Sequence, residues 1–555
     1  MPAFSTQHPI AFFCAEFGIQ SNLPIYAGGL GVLAGDILKE SARQKIPMVA
    51  VGLLYRGEGA VQTITAEGQQ VEQDMPFDPL SAGLEHVYVD EMPLFIKVHL
   101  TEVEIWVRCW KKKIGETVTL YLLDTDTDQN PLNERGIAHA LYAGTEEELI
   151  KQQLLLGIGG VKLLHQLGVH PSLYHVNEGR PAFLHWQLIR RYMDEHGVSY
   201  EEASEWARHK TVYTNHTLVE AGNQSYTTEL LKVYGKYYAD KMGITVERLL
   251  EPGIEPGTDR FSITRYALNT SAKASAVSQL HYQFCQQRWP EYNWSAITNG
   301  VFLPFWQDER FSSGGLSADT TTTFLAEAIW KTHLDCKKQL MEYVRGRTGY
   351  SYDPQRLVIC WSRRMAGYKQ VDALFSDISR LAKIVRNEKH PLQILIAGKA
   401  HVSDVVAKQT IERVIRFMQN ELNGHALFVP NLDMDLDQML ARGSDVWLNT
   451  PEYGKEASGT SGMKAISNGV LQCTVADGWA AEVDWTNVGW QLDHQSLAES
   501  LYSTLENEIV PLYFTRQEGD IPQVWVERMQ RSIGLAEKFS ATRMMNEYKE
   551  KFYNG

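Results

Sequence analysis

Cysteine is scarce and scattered. The six in 555 residues (Cys14, Cys109, Cys285, Cys336, Cys360 and Cys473) lie far apart with no C-x-x-C pair. That spacing argues against a disulfide framework and a zinc site and fits a reducing, cytosolic compartment. No stretch approaches the roughly eighteen apolar residues that a membrane span requires. The opening MPAFSTQHPIAFFCAEFG has no basic region, and Glu16 interrupts its apolar run, so it does not read as a secretory signal. Together these absences predict a soluble, intracellular protein. Positive charge is also in deficit: 53 Lys and Arg face 67 Asp and Glu, a net charge of -14. A broad nucleic-acid or anionic-membrane surface is therefore not expected, and any anion must be held by a local basic cluster. Internal repeats and low-complexity tracts are absent too.

What is present is an ordinary globular composition, 44% hydrophobic and 22% charged. The length exceeds what one core supports, so two large domains are expected. From Leu357 onward, short apolar or β-branched runs alternate with helical stretches: Leu357 to Trp361, Leu392 to Ala397, Ala426 to Val429, Asp445 to Leu448 and Leu471 to Val475. Strand alternating with helix implies a parallel sheet. The first half has similar runs at Ile10 to Cys14, Met48 to Leu54, Leu173 to Val176 and Thr211 to Tyr213, interrupted by an alternating, β-rich stretch from Phe95 to Leu123. Gly and Pro punctuation around Glu251 to Asp259 and Ser312 to Asp319 brackets the middle of the chain. The crossover is placed near Asn299, giving an N-terminal α/β domain over 1–298 and a C-terminal α/β domain over 299–555. Ser540 is a plausible N-cap for a last helix whose Met544, Tyr548 and Phe552 mark one apolar face, packed against a domain. The expected fold class is α/β, two doubly wound Rossmann-like domains facing across a cleft, with ligands at the carboxyl ends of the strands.

Several motifs sit just after strands. Ser362-Arg363-Arg364-Met365-Ala366-Gly367-Tyr368-Lys369 places three cations in a short loop, a combination suited to phosphate. The plain alternative is a solvated helix start, but cations at a helix N-terminus oppose its dipole and make more sense with an anion present. The segment Glu456-Ala457-Ser458-Gly459-Thr460-Ser461-Gly462-Met463-Lys464 offers small residues whose N–H groups can converge on an anion. Burial and neighbouring positive charge there would make Lys464 a competent amine for an aldehyde cofactor. Near the start, Tyr26 to Asp36 (YAGGLGVLAGD) is a glycine-rich loop entering a helix; it matches neither a Walker loop nor the dinucleotide fingerprint, and a phosphate contact stays open.

Together with YHVNEGRPAFL at Tyr174 to Leu184, TNHT at Thr214 to Thr217, ITNGVFLPFW at Ile297 to Trp306 and AGKAH at Ala397 to His401, these segments resemble the glycogen and maltodextrin phosphorylase family from Ile10 to Tyr553. The resemblance implies a GT-B type glycosyltransferase with pyridoxal 5'-phosphate on Lys464 and the cofactor phosphate near Gly29, Thr460 and Ser461. It implies that Arg364, Lys369 and Arg363 hold the substrate phosphate, and that His216, Asn299, Glu456, Ser458, Gly459 and Gly28 surround the terminal glucose. The implied reaction releases glucose 1-phosphate from the non-reducing end of an α-1,4-glucan, with retention and with the cofactor acting through its phosphate. Glycogen or maltodextrin and inorganic phosphate are the implied partners, with a possible homodimer, in the cytoplasm.

The chain departs from the family in two respects. It is shorter than familiar members, and the match starts near residue 10, so phosphorylation control of the animal kind is not expected. Arg180 stands where the family usually has histidine, and Glu178 where many members have aspartate. The main rival is a retaining nucleotide-sugar glucosyltransferase of the glycogen synthase type, and a third reading is a non-catalytic glucan-binding relative. Such transferases commonly repeat Glu after seven intervening residues; here Glu456 is followed at that distance by Lys464, which cannot accept from ribose hydroxyls but can bind an aldehyde.

Overall fold

A computed structural model describes residues 5–101, 103–142, 144–219, 222–312, 322–516 and 520–553. Apart from Ser312, the punctuation from Ser312 to Asp319 lies outside the described residues. The protein is mixed α/β and divides into two compact units. One comprises Met1–Ala60, Asp74–Ile297 and Met545–Gly555; the other comprises Val61–Gln73 and Thr298–Met544.

The first unit is built on a sheet whose parallel strands run, edge to edge, Trp294–Ala296, Lys273–Ala276, Thr211–Thr214, Leu173–Asn177, Ile10–Cys14, Met48–Leu53 and Val118–Asp124. The antiparallel strands Val103–Ile114 and Phe95–Leu100 extend it and account for the alternating pattern in that stretch. Every residue of Ile10–Cys14 and Met48–Leu53 is buried, as a parallel strand covered on both faces requires. Each such large apolar side chain contributes about 1.5–3 kcal/mol. Numbered by sequence, the parallel strands lie in the order 7-6-5-4-1-2-3, so the winding reverses between Ile10–Cys14 and Leu173–Asn177.

The second unit has six parallel strands in the order Ala426–Val429, Leu392–Ala397, Leu357–Ser362, Val446–Asn449, Leu471–Val475 and Trp490–Leu492. Trp490–Leu492 adds to the five strands that the sequence predicts. Here the winding reverses at Leu357–Ser362, and a doubly wound sheet opens a crevice beyond the carboxyl ends at such a point. Under the opposite ends, Asp445 accepts from His333 Nε2 at 2.7 Å, Lys337 Nζ at 2.5 Å and the Val358 N–H at 2.6 Å. All three side chains are fully buried. Burial alone would push the Asp445 carboxyl up; Lys337 and His333 outweigh it and hold it below the usual range.

Two segments leave their sequence neighbours. The hairpin of Val61–Ile64 and Gln70–Gln73 joins the second unit, where Gln62 Nε2 donates to the Gly398 carbonyl at 2.9 Å and Gln70 Nε2 to that of Ala400 at 3.0 Å. The last helix starts at Ala541, capped by Ser540 Oγ, which accepts from the Arg543 N–H at 3.1 Å. Its far end, with Tyr548 and Phe552, belongs to the first unit. There the Tyr553 hydroxyl meets His175 Nδ1 at 2.8 Å, while Thr214 Oγ1 meets Nε2 at 2.8 Å. Burial pushes that imidazole down to about 3.

Candidate functional site

In the second unit, the loop after Leu357–Ser362 brings its cations onto one carboxylate. Lys369 Nζ is hydrogen-bonded to Glu456, and Arg363 lies 3.7 Å from the same oxygen. Arg363 also donates to Ser461 Oγ at 3.1 Å. Burial would raise the Glu456 carboxyl, but Lys369, with Arg363 and the exposed Arg364, holds it low. Burial depresses the Arg363 guanidinium. The plain alternative of a solvated helix start is not met: Gly367–Lys369 is a single 3-10 turn, and the following α-helix begins only at Ile378. The Thr450 hydroxyl donates to the carbonyls of Lys369 and Gln370 at 3.1 Å each, fixing this turn against the neighbouring strand's exit.

Glu456 is aimed by a residue that sequence reasoning missed. Asp477, at the exit of Leu471–Val475, accepts from the N–H groups of Gly454 and Glu456 at 3.0 Å each and of Gly478 at 2.9 Å. Burial pushes its carboxyl up to about 6, against those donors. A local signal existed, an Asp-Gly pair one residue beyond a strand. Beyond Glu456, Ser458 Oγ donates to the Gly459 carbonyl at 3.2 Å, and Gly459 takes a φ of +72, a left-handed value that favours glycine. Thr460 precedes the short helix Ser461–Ile466, which carries Lys464.

Lys464 is buried, with Nζ 3.7 Å from the Trp306 ring centroid and 2.6 Å from Asp437 Oδ2. The expected cationic neighbour is thus replaced, in its closest ion pair, by a carboxylate from the helix Met434–Gly443. Nothing local in the sequence marks that pairing. Asn299 is buried, and its Oδ1, with Ser362 Oγ and Arg363 Nε, finds no hydrogen-bond partner among the described residues. Unsatisfied buried groups of this kind call for a ligand or water. A primary amine, an indole face, unused polar atoms and a group of cations fit a phosphorylated aldehyde such as pyridoxal phosphate.

Gly28, Gly29 and His216 belong to the first unit. The loop does enter a helix, Gly29–Arg43. However, the N–H groups of Ala27 and Gly28 are occupied by Glu16 Oε2, at 2.8 and 3.1 Å. The anion held by those two groups is therefore a side chain of the protein itself. His216 follows the strand Thr211–Thr214; its N–H donates to Glu178 Oε1 at 2.5 Å and its Nε2 lies 2.7 Å from Asn177 Oδ1. Burial pushes the His216 imidazole down to about 3 and the Glu178 carboxyl up to about 7. That depression favours the neutral form of the His216 ring, which is suited to hydrogen bonding.

Residues 306–491 match the family model for carbohydrate phosphorylases. The chain is 34% identical to the maltodextrin phosphorylase of Thermococcus litoralis, over 99% of this chain and 71% of that protein. It is 32% identical to the glycogen phosphorylase of Aquifex aeolicus, over 98% and 86% respectively. The chain belongs to the carbohydrate phosphorylase family. A third relative, the glycogen phosphorylase of Mycobacterium tuberculosis, is 31% identical over 98% of this chain and 70% of its own. Trp306, Arg363, Lys369, Asp437, Glu456, Lys464 and Asp477 fall inside the region matched to the phosphorylase model, whereas Gly28, Gly29, His216 and Asn299 precede it. No helix among the described residues is long and apolar enough to cross a membrane.

Proposed function

We propose that the protein is an α-1,4-glucan phosphorylase that cleaves the non-reducing end of glycogen or maltodextrin with inorganic phosphate, releasing glucose 1-phosphate with retained configuration. The observation that carries this reading is the cluster of Arg363 and Lys369 on Glu456, at the carboxyl ends of two strands flanking the point where the sheet's winding reverses. A phosphate arriving there would take over the cations and release the Glu456 carboxylate to accept from sugar hydroxyls. Asn299 Oδ1 offers a further acceptor, with Ser458 and Gly459 beside the sugar. His216 and Gly28 of the first unit are assigned to the same glucose, the neutral imidazole as a hydrogen-bond partner. In the reaction the C1–O4 bond of the glucan breaks, a bond from C1 to a phosphate oxygen forms, and a phosphate proton passes to the departing O4. Fixed cations stabilise the charge on phosphate as it develops.

Lys464 would carry pyridoxal phosphate, with its phosphate near Thr460, Ser461 and Gly29. When bound, that group supplies a second phosphate able to exchange a proton with the substrate's. Lys464 also weighs against the nucleotide-sugar transferase reading, which needs a carboxylate at that position. A GT-B type fold is proposed from the family resemblance alone. A cytoplasmic setting suits six buried, unpaired cysteines. A homodimer is proposed from the family resemblance alone.

The test is borohydride reduction of the purified protein, peptide mass mapping, and assay of glucose 1-phosphate released from maltodextrin. A phosphopyridoxyl group on Lys464 with phosphate-dependent release is expected. An unlabelled protein, after incubation with excess cofactor, would overturn the reading.

A further inference from the structure

At the point where the first sheet's winding reverses, the strands Ile10–Cys14 and Leu173–Asn177 end beside residues that phosphorolysis as described leaves unused. Glu16 is 3% exposed. Its Oε2 accepts from the N–H groups of Ala27 and Gly28, and its Oε1 from the Tyr142 hydroxyl at 2.5 Å. The Arg180 guanidinium lies over the Tyr142 ring, 4.3 Å from its centroid. Neither Glu16 nor Arg180 forms an ion pair among the described residues. Tyr142 therefore stands between the two charges, presenting its negative ring face to the cation and its hydroxyl proton to the carboxylate. Tyr142 and Glu178 take left-handed φ values of 62 and 66. Such backbone costs about 1–3 kcal/mol per residue and persists only where surroundings enforce it. The other titratable groups facing Arg180 are Glu178, Tyr55 and Tyr226.

A carboxylate on the loop's N–H groups repels any phosphate brought to the same loop. We propose that Arg180 is the fixed countercharge of the glycine-rich loop: through Tyr142 and Glu16 it positions the Ala27–Gly28 backbone and offsets the Glu16 charge, so that a phosphate-class anion can approach. The inference rests on the proposed function only in naming that anion. Arginine suits the task because a guanidinium keeps its charge throughout the working pH range, whereas an imidazole loses it near neutrality. Arg180 is thus a positioning residue whose identity as arginine makes phosphate affinity insensitive to pH.

The experiment uses the full-length protein with R180H, R180K and Y142F. Binding of inorganic phosphate is followed by calorimetry at pH 6 and pH 8, and amide exchange is followed over the peptide containing residues 25–31. R180H is expected to bind phosphate about 10-fold more weakly at pH 8 than at pH 6 relative to wild type, reflecting loss of the imidazolium charge. R180K is expected to keep the wild-type profile, and Y142F to raise exchange at Ala27 and Gly28 several-fold. A wild-type pH profile in R180H, or unchanged exchange in Y142F, would overturn the inference. Exchange can be read in a protein that shows no phosphorolysis, so failure of the functional reading and failure of this one are separable.

Discussion

Glu456→Gln should move phosphate binding and turnover in opposite directions. Glu456 occupies Lys369 and Arg363 before phosphate arrives, so phosphate must displace a resident carboxylate. At the 3.7 Å separation of Arg363, the gross attraction is about 4 kcal/mol for an effective dielectric near 20. Desolvation returns most of that, leaving about 1–2 kcal/mol of competition. Removing the charge should therefore tighten phosphate binding roughly 5- to 30-fold. Losing a charged acceptor for a sugar hydroxyl costs about 1.5–3 kcal/mol, so kcat should fall about 10- to 150-fold. Calorimetric titration with phosphate gives the first quantity, and initial rates of glucose 1-phosphate release at saturating phosphate and glucan give the second. Unchanged or weaker phosphate binding in the variant would refute the idea that these cations are the phosphate's.

Asp445→Asn leaves Lys337 charged and buried without its counterion, which should cost about 3–5 kcal/mol and lower the melting temperature by roughly 10 °C. Because the Asp445 carboxyl is held low, its stabilisation is present at neutral pH and is lost as pH falls through the folded value. A melting shift within about 2 °C by circular dichroism would show that the buried pair contributes little. Glu178 has the opposite sign. Pushed up to about 7, it keeps a proton in the folded protein that the unfolded chain has released, so stability should decline between about pH 4.3 and pH 7 by about 3 kcal/mol. Glu178→Gln should flatten that decline in guanidinium unfolding at pH 5 and pH 8; an equally steep decline would place its source elsewhere.

The strands were legible because parallel strands buried on both faces leave continuous apolar runs. Leu392–Ala397 and Leu471–Val475 begin and end where the sequence predicts. Trp490–Leu492, three residues with an exposed Gln491 at the centre, leaves too short a run to stand out. Within the site, Arg363, Lys369, Glu456 and Lys464 were legible because each follows a strand in a recognisable segment. Their partners were not. Asp437 reaches Lys464 from a helix whose local pattern only specifies an apolar face, and Glu16 reaches Ala27 and Gly28 because the helix after the loop packs tightly on the segment beyond the first strand. A Cβ on Gly35 would lie 2.0 Å from the Gly18 carbonyl oxygen. Local spacing encodes elements; the choice of a charged partner is made by topology.

The return of residues 545–553 to the first unit bears on the order of events during synthesis. His175 lies on a central strand made early, yet its Tyr553 partner is among the last residues described. Lys551 Nζ, likewise, reaches the Ala296 carbonyl at 2.9 Å. A nascent chain that has emerged only as far as Ile297 carries every strand of the first sheet, but not the aromatic cover over His175. The unit translated first is therefore finished last, after the whole second unit has left the ribosome, and a proteolytic or engineered cut at the crossover would separate it from its own closing segment.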